Sequence, residues 1–253
     1  MKIIVSVKQV PARDSALKVG ADGKWLDESD LTYEMNEPDA YALEEALQLK
    51  EKLGGEVVVV SAGPDRVTQT IREALAKGAD RAIHVQLDDA GGLDALGIAH
   101  ILAKAVAGEA PDLILTGLQS DDLGYGQTGV VLAELLGFTH ATIVMEVEPL
   151  GTTVKVKREL EDGWFQNVTL PLPAVLTVQS GIKKLRYATL MGIKKAKTKE
   201  VKTVPAAAGT AKGAQFEKVY LPQRNKQSQI LTGDPKEVAR QLVEKLKFEA
   251  RVI

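Results

Sequence analysis

Apolar positions along the first half of the chain switch between two periods. Short β-branched runs at residues 3–7, 57–61, 82–85 and 113–116 read as strands, and between them apolar residues recur at helical steps of three and four. Residues 39–53 carry Ala42, Ala46, Leu49 and Leu53 on one stripe, widened by Leu43 and Leu47. Residues 65–77 follow Gly63-Pro64, repeat Val67, Ile71, Ala74 and Leu75, and stop at Gly78. Proline near the start and glycine past the end is the expected helix asymmetry. Residues 94–106 repeat Ala95, Ala99, Leu102 and Val106, and residues 127–136 open after glycines and end at Gly137. Strands alternating with helices need crossover connections, which predicts an α/β fold with a mostly parallel sheet covered on both faces.

The pattern then changes twice. Residues 152–160 and 164–170 are β-like runs around Glu161-Asp162-Gly163, and Asp-Gly in that place predicts a hairpin. With a further strand at 174–179 the sheet becomes mixed, antiparallel at one side. Residues 183–202 hold eight Lys or Arg against one acid, Glu200, and residues 205–215 are Ala/Gly-rich and read as a linker. Residues 234–247 read as a last helix, with Asp234 as cap and Pro235 at its first position. The domain is expected to span 1–190, and 191–253 to form an arm that packs on its own domain or on another chain.

Composition narrows the chemistry. The 253 residues are 45% hydrophobic and 26% charged, enough for a sizeable core. Aromatics at 4% argue against a base-stacking nucleic-acid platform, and a net charge of −2 gives no global pull towards DNA or an anionic membrane. Cysteine is absent, which removes disulfides, thiolate catalysis, Fe–S clusters and Cys-ligated zinc. With no apolar run of membrane-span length and no signal-like leader, the expected compartment is cytoplasmic.

The strongest local feature is Gly117-Leu-Gln-Ser-Asp-Asp-Leu-Gly-Tyr-Gly-Gln-Thr128-Gly129, which leaves a buried strand and enters a helix. In an open α/β sheet, ligands sit beyond the carboxyl ends of the strands. A glycine-rich loop there brings backbone N–H groups to a phosphate, and the helix N-terminus adds a favourable dipole. Ser120, Gln127 and Thr128 add side-chain donors. Gly124-x-Gly126-x-x-Gly129 matches the dinucleotide fingerprint in form, with Glu146 about twenty residues on, but a polar loop separates it from Leu115 where the fingerprint follows its strand tightly. The same stretch also reads as an ordinary strand-to-helix loop. Ser6 and Ala62-Gly63-Pro64 end two other strands with small residues, which suits either close packing or the approach of a base or ribose. Asn36-Glu37-Pro38-Asp39 reads as a helix cap or as ligand-facing groups. His84, His100 and His140 are scattered, and no nucleophile elbow, Walker lysine or zinc motif occurs. A nucleotide pocket without a nucleophile or base suggests a binding or carrier protein. In the basic run, Leu185, Tyr187, Leu190, Met191 and Ile193 interrupt the charge; it reads as a solvated face or as a docking loop for an acidic protein.

Together these features resemble the β subunit of the electron transfer flavoprotein family, over essentially the whole chain. Val5-Ser6-Val7-Lys8, Asn36 to Asp39 followed by Ala42-Leu43-Glu44-Glu45-Ala46, Ser61-Ala62-Gly63-Pro64 and Thr70-Ile71-Arg72-Glu73-Ala74-Leu75 fit. So do Gln127-Thr128-Gly129, Lys157-Arg158-Glu159-Leu160, Leu172-Pro173-Ala174-Val175 and Arg186-Tyr187-Ala188-Thr189-Leu190. The resemblance implies a Rossmann-like, adenine-nucleotide α-hydrolase-like domain in a heterodimer. The α subunit would hold most of one FAD, and this chain a structural AMP. The AMP contacts map onto Ser6, Asn36, Glu37, Pro38, Asp39, Ala62, Gly117, Gln119, Ser120, Asp121, Asp122, Leu123, Gly124, Tyr125, Gly126, Gln127 and Thr128. A recognition loop maps onto residues 178–200, with Arg186, Tyr187, Leu190 and Met191 meeting the partner and Leu190 at its apolar tip. It would dock acyl-CoA dehydrogenases of fatty acid oxidation and related flavoproteins, whose electrons pass on to a membrane quinone oxidoreductase. The arm would wrap onto the α subunit. The chain departs from the family pattern at Leu185 and Met191, where prolines are usual, at Ile193-Lys194-Lys195-Ala196, and at Asn36-Glu37-Pro38 in place of Asn-Pro. Competing readings are an electron-bifurcating relative whose β subunit carries a second FAD, a free-standing ATP-binding module, and an NAD-dependent dehydrogenase.

Overall fold

The computed structural model describes residues 1–88, 93–207, 213–214, 216–222 and 228–253. The elements in chain order are β1 (Lys2–Ser6), β2 (Gln9–Pro11), β3 (Tyr33–Met35), α1 (Glu37–Leu53), β4 (Glu56–Gly63), α2 (Thr68–Lys77), β5 (Arg81–Gln86) and α3 (Ala95–Val106). Then come β6 (Leu113–Gly117), α4 (Thr128–Leu136), β7 (Thr139–Leu150), β8 (Thr153–Glu159), β9 (Phe165–Pro171), β10 (Ala174–Val178), α5 (Leu190–Ala196), β11 (Val201–Pro205) and α6 (Pro235–Glu244). They form two compact units, Met1–Val219 and Tyr220–Ile253.

Among the described residues of the first unit, nine strands make one sheet in the order β11-β5-β4-β1-β6-β10-β7-β8-β9, and β2 and β3 pair as a separate ribbon. The strands from β11 to β7 run parallel, and β8 and β9 continue antiparallel. Period-two alternation sends Ile3 and Val5 to a core with Leu43, Ala46, Ile71 and Leu75, and sends Ile4 to the opposite core with Ile101, Leu102, Leu132 and Ala133. Thus α1 and α2 cover one face, and α3 and α4 the other. This is the doubly covered α/β sheet that the strand–helix alternation predicts.

The chain runs outward from β1 to β4 and β5, then returns to the other side of β1 as β6. That reversal leaves a crevice between the carboxyl ends of β1 and β6, where open α/β sheets bind ligands.

The predicted hairpin forms between β8 and β9. Asp162 and Gly163 have φ of 57° and 77°, as the tight turn between right-twisted strands requires. Five elements were hidden in the sequence: the short ribbon strands β2 and β3, and then β7, α5 and β11. β7 contains Glu146, Glu148 and Pro149, and it bulges against β10 where Ile143 turns to φ 58° and donates its N–H to Thr177 Oγ1 at 3.3 Å. The basic run folds into α5 and the edge strand β11, which pairs with β5. The first unit therefore extends to Val219, beyond the 190 expected for the domain. An edge strand carrying Lys202 and Pro205 is protected against pairing with another sheet. Of the expected linker, residues 208–212 and 215 lie outside the described residues.

In the second unit, the Asp234 carboxylate accepts the Lys236 N–H at 3.0 Å and Pro235 opens α6, as predicted. Arg240 ties Glu237 and Glu244 along the helix at 2.6 and 2.7 Å. A wider turn follows over Lys245–Ala250, and Leu242, Val243, Phe248 and Val252 stay exposed. Among the described residues no helix is long and apolar enough to cross a membrane.

Candidate functional site

A cavity of about 150 Å³ opens at the β1–β6 reversal. Ser6 reaches it from the end of β1, Ala62 from β4, and Thr116 and Gly117 from β6. Gln127, Thr128 and Gly129 bring the start of α4 to its wall. The first N–H groups of a helix lack intrahelical acceptors, and Gln127 makes no side-chain cap there. This end suits an anion.

Two side chains at the start of α1 shape the crevice. Asn36 Nδ2 donates to the Gln119 carbonyl at 3.0 Å, and its Oδ1 accepts the Asp121 N–H at 2.9 Å. Asp39 accepts the N–H of Lys8 and that of Gly117, each at 2.8 Å. Neither residue spends its side chain capping α1. Both tie the segments leaving β1 and β6 to one helix start. Burial pushes the Asp39 carboxyl up to about 7, against the pull of those two N–H groups.

The glycines are there for space and for conformation. A Cβ on Gly117 would strike Asp39 and Pro38, and one on Gly129 would lie 2.6 Å from Thr177 Cγ2 and 2.7 Å from Thr116 Oγ1. Gly124 and Gly126 hold φ of 64° and 62°, which bends the loop back towards the cavity. Lys8 Nζ crosses to Asp122 at 2.6 Å and to Ser120 Oγ at 3.3 Å.

Of the residues expected at the site, Ser6, Asn36, Asp39, Ala62, Gly117, Gln119, Ser120, Leu123, Tyr125, Gly126, Gln127 and Thr128 line the cavity. Glu37, Pro38, Asp121 and Gly124 do not line it. Glu37 pairs with Arg13, and Arg13 also lies 3.6 Å from Asp121. Asp122 lines an adjoining cavity of about 460 Å³, bounded also by Trp25, Tyr33, Arg66 and Phe216. The two cavities share Lys8, Ala62, Leu93, Asp94, Leu123 and Tyr125. Sequence reasoning missed the wall made by Asp94, Ala95, Ile98 and Leu102 of α3. Its signal was Asp94, an N-cap accepting the Gly97 N–H at 2.9 Å, on a helix that must start at the same sheet edge. His84 is buried with Nε2 2.9 Å from the Gly63 carbonyl, a structural role.

The family model of the electron transfer flavoprotein domain matches residues 24–209, most of the unit that builds this crevice. The chain belongs to the electron transfer flavoprotein family. Its relatives include proteins named electron transfer flavoprotein subunit beta, three of which illustrate the likeness. That of Methylophilus methylotrophus is 41% identical over 91% of this chain and 92% of its own length. That of Bradyrhizobium diazoefficiens is 42% identical over the full length of both, and that of Mus musculus 37% identical over 100% of this chain and 99% of its own. As a β subunit of an electron transfer flavoprotein, the chain serves electron transport.

The chain presents a second surface. Tyr187 and Leu190 are 93% and 86% exposed, and Met191 and Ile193 are also exposed. Arg186 is different from the rest of the expected recognition set. Its guanidinium is turned inward, onto Glu44 at 2.8 Å and Glu51 at 2.6 Å.

Proposed function

We propose that the chain is the β half of a cytoplasmic heterodimer, that its crevice holds a structural AMP, and that it helps to house an FAD carried mostly by the α subunit. The observation that carries this reading is the crevice between β1 and β6, with Asn36 and Asp39 tying its rims and the start of α4 lining its wall. The phosphate would rest on the loop of Gly126, Gln127 and Thr128, and the small Ser6 and Ala62 would let the nucleoside approach the backbone. Glycines held at positive φ and α4 N–H groups without intrahelical acceptors fit a mononucleotide phosphate. FAD supplies the electron chemistry when bound, and the protein supplies placement. Donors of the acyl-CoA dehydrogenase kind would dock on residues 187–193, and electrons would pass towards the quinone pool through an electron transfer flavoprotein–quinone oxidoreductase. Exposed apolar groups flanked along the chain by the exposed Lys184, Lys194 and Lys195 suit an acidic protein surface. The Tyr220–Ile253 unit, with its exposed apolar side chains, would pack on the α subunit.

The test is to co-express the chain with its α subunit, release the small molecules by heat, and separate them. One AMP and one FAD per heterodimer supports the reading. The adjoining cavity of about 460 Å³ favours a second reading, an electron-bifurcating relative whose β subunit takes a whole FAD. Two flavins and no AMP would establish that second reading and reject the first.

A further inference from the structure

Seven residues are too few for α5 to hold its shape alone. Two anchors hold it. At the entrance, Arg186 makes four side-chain hydrogen bonds. Nε and Nη2 reach Glu44 at 2.8 and 3.0 Å, and Nη1 and Nη2 reach Glu51 at 2.6 and 3.2 Å. The Glu44 side chain is only 4% exposed, so this is no loose surface pair. Desolvation works against its charge, yet hydrogen bonds from Arg186 and Gln48 outweigh that and hold the carboxyl below the usual range. Lys183 lies 3.5 Å from the neighbouring buried Glu45. At the exit, Arg72 Nη1 donates to the carbonyls of Ala196 and Lys199 at 2.6 and 2.9 Å. Lys199 Nζ returns the contact to the end of α2, at the carbonyls of Leu75 (3.0 Å) and Ala79. Between the anchors, Gly192 lies so close to the Ala76 carbonyl that no Cβ would fit.

A guanidinium offers five N–H donors, and here its hydrogen bonds go to two carboxylates of its own chain. It is not free to meet a partner's carboxylate. We propose that Arg186 is a positioning residue: it locks the exposed tip at Tyr187 and Leu190 into one pose before a donor protein arrives. The proposal rests on the docking reading above. A tip held in advance loses less freedom on association. The planar fork is required, because an ammonium cannot bridge two carboxylates in this way.

The experiment uses the full chain in its heterodimer. It compares wild type with Arg186→Gln, Arg186→Lys, Glu51→Gln and Leu190→Ala. Amide hydrogen exchange over residues 187–196 is read first. Electron transfer from a purified medium-chain acyl-CoA dehydrogenase, reduced by its acyl-CoA substrate, is read second. Arg186→Gln and Arg186→Lys should each speed exchange about tenfold and raise KM for the dehydrogenase about tenfold, with kcat within about twofold and AMP and flavin contents unchanged. Glu51→Gln removes only the outer half of the fork, on an exposed side chain, and should give about threefold in both readouts even if the Arg186 variants fold poorly. Unchanged exchange in the Arg186 variants and Glu51→Gln overturns the proposal, as does wild-type behaviour of Arg186→Lys. Faster exchange with KM raised by Leu190→Ala alone overturns the positioning role and spares the docking reading. Faster exchange with KM unmoved in every variant, Leu190→Ala included, overturns the docking reading while the clamp stands.

Discussion

Gly126 lines the crevice at a φ of 62°, where any side chain is strained. Gly126→Val puts a β-branched residue there at a cost of about 1–3 kcal/mol, so AMP retained per heterodimer should fall roughly tenfold or more. Chromatography of the released nucleotide checks this, and wild-type content would reject the loop's role. Asp39 makes a pH prediction. Burial lifts its carboxyl from the ordinary 3.8 to about 7, so the folded state holds the proton more tightly than the unfolded chain does. Its contribution to stability is complete below 3.8 and is lost as pH rises through about 7. Glu45, raised by burial, acts in the same direction. The thermal midpoint of the purified protein should rise as pH falls from about 7 to about 5, and Asp39→Asn should flatten much of that slope. An unchanged slope would mean that Asp39 does not titrate there. At this scale the sequence revealed residue types but not their partners. Asn36 and Asp39 stood out before a helix, yet nothing in their spacing told that they fasten residues more than seventy positions away. Arg186 looked like a contact residue because its acids, Glu44 and Glu51, lie on a distant helix.

Helix α4 meets the sheet through Gly129. A Gly129→Ala exchange sets a methyl group 2.6 Å from Thr177 Cγ2 and 2.7 Å from Thr116 Oγ1. It should lower stability by about 1–3 kcal/mol, seen as an earlier denaturant midpoint, because both neighbours belong to buried central strands. Truncation after Val219 keeps β11 on β5 and should still free the chain from its α subunit. Stoichiometric co-purification of the shortened chain would show that the Tyr220–Ile253 unit is not the clamp. The elements easiest to read were those whose local pattern and packing agree: α1, α2, β4 and β6 are apolar where the sheet buries them. β7 was not legible because only Ala141 and Val144 of it are buried and its bulge breaks the alternation. α5 and β11 were masked by lysines, which stay outside while the backbone pairs and packs.

Across the whole molecule, α1 joins the two surfaces. Asn36 and Asp39 at its start hold the crevice, and Glu44 and Glu51 further along hold the docking segment. Asp39 and Glu51 are twelve positions apart, a span of about 18 Å at helical rise. Charge is arranged in the same local way. The chain is nearly neutral, yet residues 183–202 are strongly basic. Association with an acidic donor should therefore slow about tenfold between low and physiological salt in stopped-flow measurements, and a flat salt profile would remove steering from the account. The parallel sheet followed from strand–helix alternation alone, whereas its reversal point and the outward reach of the α1 carboxylates emerged only with the fold. The exposed, anchored tip has a practical use. Because the chain contains no cysteine, Tyr187→Cys would create its sole thiol, at a position 93% open to solvent. A spin label or fluorophore attached there would report the tip's mobility without background signal from the rest of the polypeptide.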